Sequence, residues 1–206
     1  VTVVGATKLV PVPRLAEALD AGLAHLGENR AQDLVAKAAA LAGAQPPPVW
    51  HFIGRLQRNK VRMLAPHVTW WHSVDRLELG AELARRAPAA RVLVEVNVAA
   101  EPTKGGCRPA EVTGLVADLR GLGLDVRGLM TVPPAGRDPR PTFAALRGMA
   151  EGLGLPELSM GMSDDFEAAV EEGATMVRIG RALFGERPST GTVADGHPPA
   201  VAPPLS

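Results

Sequence analysis

The chain has 206 residues, 46% of them hydrophobic, and 22 Lys+Arg against 22 Asp+Glu, so its formal net charge is zero. That length suffices for one sizeable core, and the balanced charge argues against a nucleic-acid or acidic-membrane partner. The single cysteine, Cys107, excludes an internal disulfide and fits a reducing, cytoplasmic setting, and no apolar run approaches a membrane span.

The chain opens without Met in an apolar run, so its natural N-terminus is expected to lie upstream. Val1 to Ala6 reads as a strand and runs into Thr7-Lys8. Pro11 and Pro13 open a helix over Arg14 to Ala21, which Gly22 ends. A short strand, His25 to Gly27, leads through Glu28-Asn29 into an Ala-rich helix that runs to Leu41. After a triple-proline loop, Val49 to Ile53 is a strand, Gly54 begins a turn, and a helix covers Asn59 to Leu64. Val68 to Val74 is a strand, and Asp75 with Glu78 three residues on resembles a capping box. Arg91 to Val98 is a strong strand followed by the loop Glu101 to Arg108, and Pro109 opens a helix to Leu119. Val126 to Val132 is a strand, Pro133 to Pro141 a loop, and Thr142 to Glu151 a helix.

The stretch from Leu158 to Gly185 then reads strand, helix, strand and a further helical start. Its first strand ends in the small-residue turn Met160-Gly161-Met162-Ser163. The helix opens on Asp164-Asp165 with Ser163 as its N-cap and stops at Gly173. The strand Thr175 to Ile179 runs into Gly180. Two adjacent backbone-rich turns at helix starts suit an anion, and late in a βα chain they are where a barrel usually holds phosphate.

Eight strands alternating with helices, with no hairpin signal, imply a parallel sheet covered by helices. The expected fold is a single α/β domain, a (β/α)8 TIM barrel over residues 1–186, followed by a disordered Pro-rich tail over 187–206. An open doubly wound sheet is the runner-up. The barrel is preferred because polar residues share one parity within strands. Val92, Val94, Val96 and Val98 form one face of their strand and Leu93, Glu95 and Asn97 the other. Met176 and Arg178 oppose Val177 and Ile179, while Thr2, Val4, Ala6 and Lys8 share a face. Lys8 and Arg178 can thus both reach the C-terminal mouth of one barrel, where catalytic groups sit in this fold.

Only four lysines occur, Lys8, Lys37, Lys60 and Lys104. A lysine that loses its proton readily can hold a carbonyl cofactor covalently. Lys37 lies on a helix face and is expected to be a solvated charge. Lys60 at a helix start is a surface charge or a loop anchor, and Lys104 in the loop Pro102 to Gly106 is an exposed charge or an anion contact. Lys8 alone ends an apolar strand, either as a functional amine or as a lysine snorkelling out of a strand end. The five histidines and one cysteine form no metal-ligand spacing, so no metal site is expected. No serine lies in a nucleophile elbow, and Gly105-Gly106 is not a dinucleotide fingerprint.

The segments VVGATK, AGLAHLGENRAQ, WHFIGRLQRNK, HSVDRL, VNVAAEPTKGGC, RGLMTVPP and LSMGMSDDFEAAVEEGATMVRIGRALFG resemble the pyridoxal phosphate homeostasis protein family, whose barrel is like the N-terminal domain of alanine racemase. The resemblance covers nearly all of residues 1–186 in order. Two departures are the missing N-terminal helix before the first strand and the Pro-rich tail. The resemblance implies the type III pyridoxal-phosphate barrel. It matches Lys8 to the lysine bonded to pyridoxal 5′-phosphate and Arg178 to the arginine facing the pyridine nitrogen. Ser163 and the backbone of Ile179-Gly180 match the phosphate cradle, and Asn29 and His51 match residues lining the pocket.

An arginine only donates hydrogen bonds and stays charged, so facing the ring nitrogen it favours an unprotonated ring, a weak electron sink. An ion pair of Arg178 with Glu95 or another inward carboxylate is the structural alternative. The expectation is a cytoplasmic, monomeric protein that buffers pyridoxal phosphate or delivers it to apo-enzymes, without strong catalysis of its own. It is not expected to bind nucleic acid or membranes. The alternatives are a small pyridoxal-phosphate-dependent racemase and a cofactor-free barrel enzyme acting on a sugar phosphate. Against the racemase, the chain contains no tyrosine to serve as the second base.

Overall fold

The computed structural model describes residues 1–185. The expected tail, and the boundary between it and the barrel, lie outside the described residues. Eight parallel strands close into a barrel in sequence order, each followed by helix. The strands are β1 (Thr2–Ala6), β2 (His25–Glu28), β3 (Val49–Phe52), β4 (Val68–Val74), β5 (Arg91–Glu95), β6 (Asp125–Met130), β7 (Glu157–Ser159) and β8 (Met176–Ile179). The helices are α1 (Val12–Asp20), α2 (Ala31–Ala40), α3 (Val61–Leu64), α4 (Leu77–Arg86), α5 (Val112–Gly121), α6 (Arg140–Gly152), α7 (Phe166–Glu171) and α8 (Arg181–Phe184). β1 pairs with β8, with Val4 opposite Arg178, and this contact closes the ring. The runner-up open sheet is thereby excluded.

Strand alternation sorts the core into two parts. Val92, Val94, Val96, Val177 and Ile179 face outward and pack with the helices in one large cluster. Trp70, Leu93, Met130 and Met176 fill the lower barrel interior. Each fully buried aliphatic side chain of this kind stabilises the fold by roughly 1.5–3 kcal/mol relative to exposure. β5 is shorter than its apolar run, because Asn97 turns away to close the next loop. Its amide donates to the Glu101 carbonyl (2.8 Å) and its Oδ1 accepts the Glu101 N–H (3.0 Å).

Three local expectations fail for identifiable reasons. Ser163 does not cap α7: the helix starts after Asp165, whose Oδ1 accepts the Met162 N–H, and Ser163 turns toward α8 instead. No capping box forms at α4, because Asp75 pairs with Arg76, which itself precedes the first helical residue. Lys37 is not a solvated charge. α2 carries it into the wall between helix and strands, where its ammonium bonds Glu28 Oε2 and the Thr7 carbonyl, each at 2.6 Å.

Candidate functional site

At the C-terminal ends of β1, β2, β3 and β8 the barrel opens into a cavity of about 340 Å³, lined by Lys8, Gly27, Asn29, Ile53, Gly180 and Phe184 among others. Lys8 is half-buried immediately past β1. The residue after it, Leu9, takes φ of +64°, a left-handed conformation that a bulky side chain adopts only at a cost of order 1–3 kcal/mol. The turn is tied by the Val10 N–H donating to the Thr7 carbonyl at 2.9 Å. Strain stored directly beside a lysine marks a place where position matters more than local stability.

The Thr7 side of that turn is anchored from below. Glu28 is fully buried and accepts from Thr7 Oγ1 (3.0 Å), from Lys37 and from the Asn29 N–H (2.8 Å). One carboxylate therefore fixes the ends of both β1 and β2, and with them Lys8 and Asn29. Asn29 Oδ1 is buried without a partner, an orphan acceptor on a residue that lines the cavity. Such an atom is rare unless something else satisfies it. Gly27 keeps the floor open: a Cβ there would stand 2.8 Å from Val4 Cγ1 and 3.1 Å from Ile53 Cδ1.

Ser163 lies between the last two turns. Its Oγ accepts the Gly180 N–H (3.3 Å) and the Ala182 N–H (3.4 Å), so it holds the start of α8. Asp164 pairs with Arg181 across the same turns. Ile179 presents only its backbone here, since its side chain packs outward. Gly180 lines the cavity beside Lys8, whereas Ser163 lines a neighbouring depression that runs toward Arg137 and Arg140.

His51 and Arg178 sit one inward position below Ile53 and Gly180 respectively, beneath the cavity rather than in its lining. Both belong to a buried chain of hydrogen bonds. His25 Nδ1 meets His51 Nε2 at 2.9 Å, His51 Nδ1 meets His72 Nε2 at 2.8 Å, and His72 Nδ1 meets Ser159 Oγ at 2.9 Å. Arg178 Nη1 donates to the same Oγ at 2.7 Å and Nη2 to the Thr131 carbonyl at 2.9 Å. Burial holds the imidazoles neutral: it pulls His51 down to about 3, with the His25 charge adding, and His72 well below its ordinary value. Burial likewise lowers Arg178 to about 10, which leaves it charged at neutral pH.

Glu95 points inward as its parity requires. The expected Arg178–Glu95 ion pair does not form, since the guanidinium is taken up by Ser159 and Thr131. Glu95 has no hydrogen-bond or ion-pair partner among the described residues, and burial, aided by the Asp75 charge, pushes it up to about 7. Arg178 and Arg55 pull the other way without prevailing.

The sequence reading brought Lys8, Asn29 and Gly180 to one cavity, with Ser163 at its edge. It missed the Glu28–Lys37 anchor and the partners of His51, namely His25, His72 and Ser159. The inward parity of His25, His51, Ser159 and Arg178 was available as a signal for the second group. Among the described residues no cluster of three His, Cys, Asp or Glu side chains is arranged to hold a metal, and no helix is long and apolar enough to cross a membrane.

Comparison with known proteins agrees with the barrel fold. The family model for the alanine racemase N-terminal domain matches residues 6–188. A pyridoxal phosphate homeostasis protein of Pseudomonas aeruginosa is 44% identical over 191 residues, covering 88% of this chain and 82% of that protein. The protein of the same name from Aquifex aeolicus is 46% identical, over 89% of this chain and 86% of its own. Among solved structures, PipY of Synechococcus elongatus without PLP superposes with a TM-score of 0.85 at 38% identity, covering 90% of this chain and 93% of that one. PipY with PLP bound gives 0.83 at 36% identity, with 90% and 92% covered.

Proposed function

Because the chain belongs to the pyridoxal phosphate homeostasis protein family, we propose that it binds pyridoxal 5′-phosphate in the cavity at Lys8 and buffers or delivers it, without being an enzyme in its own right. The observation that carries this reading is the placement of Lys8. It lines the mouth cavity and makes no ion pair among the described residues, whereas Lys37 and Lys104 are committed to Glu28 and Glu101. Lys60 lies in a separate depression with Arg55 and Gln57.

The residues present fit the cofactor. A lysine amine that lines a cavity and makes no ion pair among the described residues is suited to hold an aldehyde cofactor covalently. Asn29 Oδ1 offers an unsatisfied acceptor, and Ser163 with the backbone at Gly180 offers polar groups for the phosphate. Arg178 beneath them supplies fixed positive charge, which disfavours protonation of a nearby ring nitrogen and weakens carbanion chemistry. The absence of tyrosine supports the same conclusion, since racemisation needs an acid–base group on each face of the substrate. Delivery to apo-enzymes, a cytoplasmic location and a monomeric state complete the proposal.

The test is to load the protein with pyridoxal phosphate, reduce with borohydride and map the adduct. The adduct is expected on Lys8, and one on Lys60 or Lys104 would overturn the assignment. The loaded protein, kept in deuterated water with L-alanine, should show no Cα exchange at enzyme-like rates by NMR. Several exchanges per second, abolished by Lys8→Ala, would replace the carrier with a racemase.

A further inference from the structure

The chain from His25 to Arg178 has a direction, and the direction follows from counting protons. Arg178 is charged and only donates, so one lone pair of Ser159 Oγ is filled by Nη1. Ser159 is fully buried, and among the described residues its Oγ has only one other partner, His72 Nδ1. If Nδ1 carried a proton and donated, the hydroxyl proton of Ser159 would be left buried with no acceptor. The opposite sense satisfies every group: the hydroxyl donates to an unprotonated His72 Nδ1. A neutral His72 must then carry its proton on Nε2 and donate it to His51 Nδ1. The same step repeats, and His51 Nε2–H donates to His25 Nδ1. His25 Nε2–H is left as the free end, on the half-buried member of the chain at the start of β2.

We propose that His25, His51 and His72 are positioning residues, a chain of neutral imidazoles in a single Nε2–H tautomer that fixes the Ser159 hydroxyl and through it the orientation of the Arg178 guanidinium beneath the cavity. Protonation of either inner ring would set two donors face to face, and low values for His51 and His72 accord with this. Trp70 holds the middle of the chain, its ring parallel to that of His51 within 7° at a centroid separation of 6.0 Å. At the other end of the guanidinium, Nη2 is held by the Thr131 carbonyl. With two of its five N–H groups committed on different strands, Arg178 cannot swing up toward Glu95 and form the ion pair that proximity alone would favour. The device thus keeps a buried cation aimed in one direction while leaving Glu95 unpaired. Its consequence for the cofactor rests on the reading above. The orientation of Arg178 itself does not.

The experiment uses the full chain labelled with 15N-histidine and 15N-arginine, first without cofactor. Long-range proton–nitrogen correlation should show His51 and His72 as Nε2–H tautomers, and Nδ1–H forms or a mixture at either would overturn the proposal. In the native chain Arg178 should give resolved, slowly exchanging Nη signals. Ser159→Ala should abolish them and also move the His51 resonances, although Ser159 does not touch His51. Ser159→Thr, which keeps the hydroxyl, should retain both. Unchanged Arg178 signals in Ser159→Ala would show that the chain does not position the guanidinium. Should Ser159→Ala not fold, the tautomers of the native chain still decide. With pyridoxal phosphate added, Ser159→Ala should shift the absorbance maximum of the bound cofactor relative to the native chain and Ser159→Thr. If the native chain takes up no cofactor, the carrier reading fails while the tautomer result stands; if it binds cofactor with the wrong tautomers, this proposal fails alone.

Discussion

Two carboxylates in this barrel, one fully buried and one partly so, have opposite fates. Glu28 lies in the wall, between β1, β2 and α2, with both oxygens taken by Thr7, Lys37 and the backbone of Asn29. Glu95 lies inside the barrel with no partner, although Arg178 is close enough to influence its titration. The difference is one of commitment. Lys37 reaches Glu28 directly and still bonds the Thr7 carbonyl with another of its three N–H groups. Arg178 is already engaged by Ser159 and Thr131. A buried acid that is paired becomes a structural tie, and a partly buried one left unpaired becomes a group that responds to pH.

Breaking the tie should have the largest effect on stability. Lys37→Met leaves Glu28 as a buried, uncompensated charge, and loss of one partner of such a pair destabilises by about 3–5 kcal/mol. The expected result is a fall of that size in a denaturant titration, together with weaker cofactor retention, because Thr7 and Asn29 lose their common anchor. A loss below ~1 kcal/mol would mean that water reaches Glu28 and that the tie is worth no more than a surface pair.

A smaller effect sharpens the point. Glu28→Gln combined with Lys37→Met removes both charges yet keeps an acceptor for the Asn29 N–H. Replacing a buried pair as a whole is far milder than halving it. The double variant should therefore recover most of the stability that the single change removes, leaving a deficit of about 1–2 kcal/mol from the hydrogen bonds to Thr7. A double variant no more stable than Lys37→Met would show that the geometry of the Thr7 turn, and not the uncompensated charge, sets the loss.

How much of this was legible in the sequence follows from the range of each signal. Strand parity is local, and it placed Glu95 and Arg178 inside the barrel and Lys8 at its mouth. The turn chemistry from Met160 to Gly180 is also local, and it marked the right neighbourhood while misplacing Ser163, whose partners Gly180 and Ala182 lie 17 and 19 residues away. Lys37 was misread because α2 is rich in alanine and shows no sharp division between apolar and polar faces, so its burial depends on a carboxylate at the end of the preceding strand. The histidine chain was invisible to spacing rules for the same reason. Its members stand 26 and 21 residues apart, a separation set by βα repeats that a search for ligands on one helix cannot detect.

The smallest expected effect comes from the unpaired acid, and its sign can be worked out. Glu95 is raised from its ordinary 4.5 to about 7 in the folded chain. Between these values the folded protein keeps a proton that the unfolded chain has released, so this group makes stability fall as pH rises through the window. Below the window both states are protonated and Glu95 contributes nothing. Above it the folded state carries a poorly solvated carboxylate. Glu95→Gln removes the ionisation while preserving the shape. Relative to the native chain it should be more stable at pH 8 by on the order of 1–2 kcal/mol, a discount on the full shift because the group is not wholly enclosed. The gain should shrink steadily as pH falls through the window and vanish by about pH 3, below the unfolded value, where Glu95 is protonated in folded and unfolded chains alike. Denaturation midpoints of the two proteins across this range provide the measurement. A difference that does not change with pH would mean that Glu95 titrates normally and that Arg178, despite its bonds to Ser159 and Thr131, already supplies the missing partner.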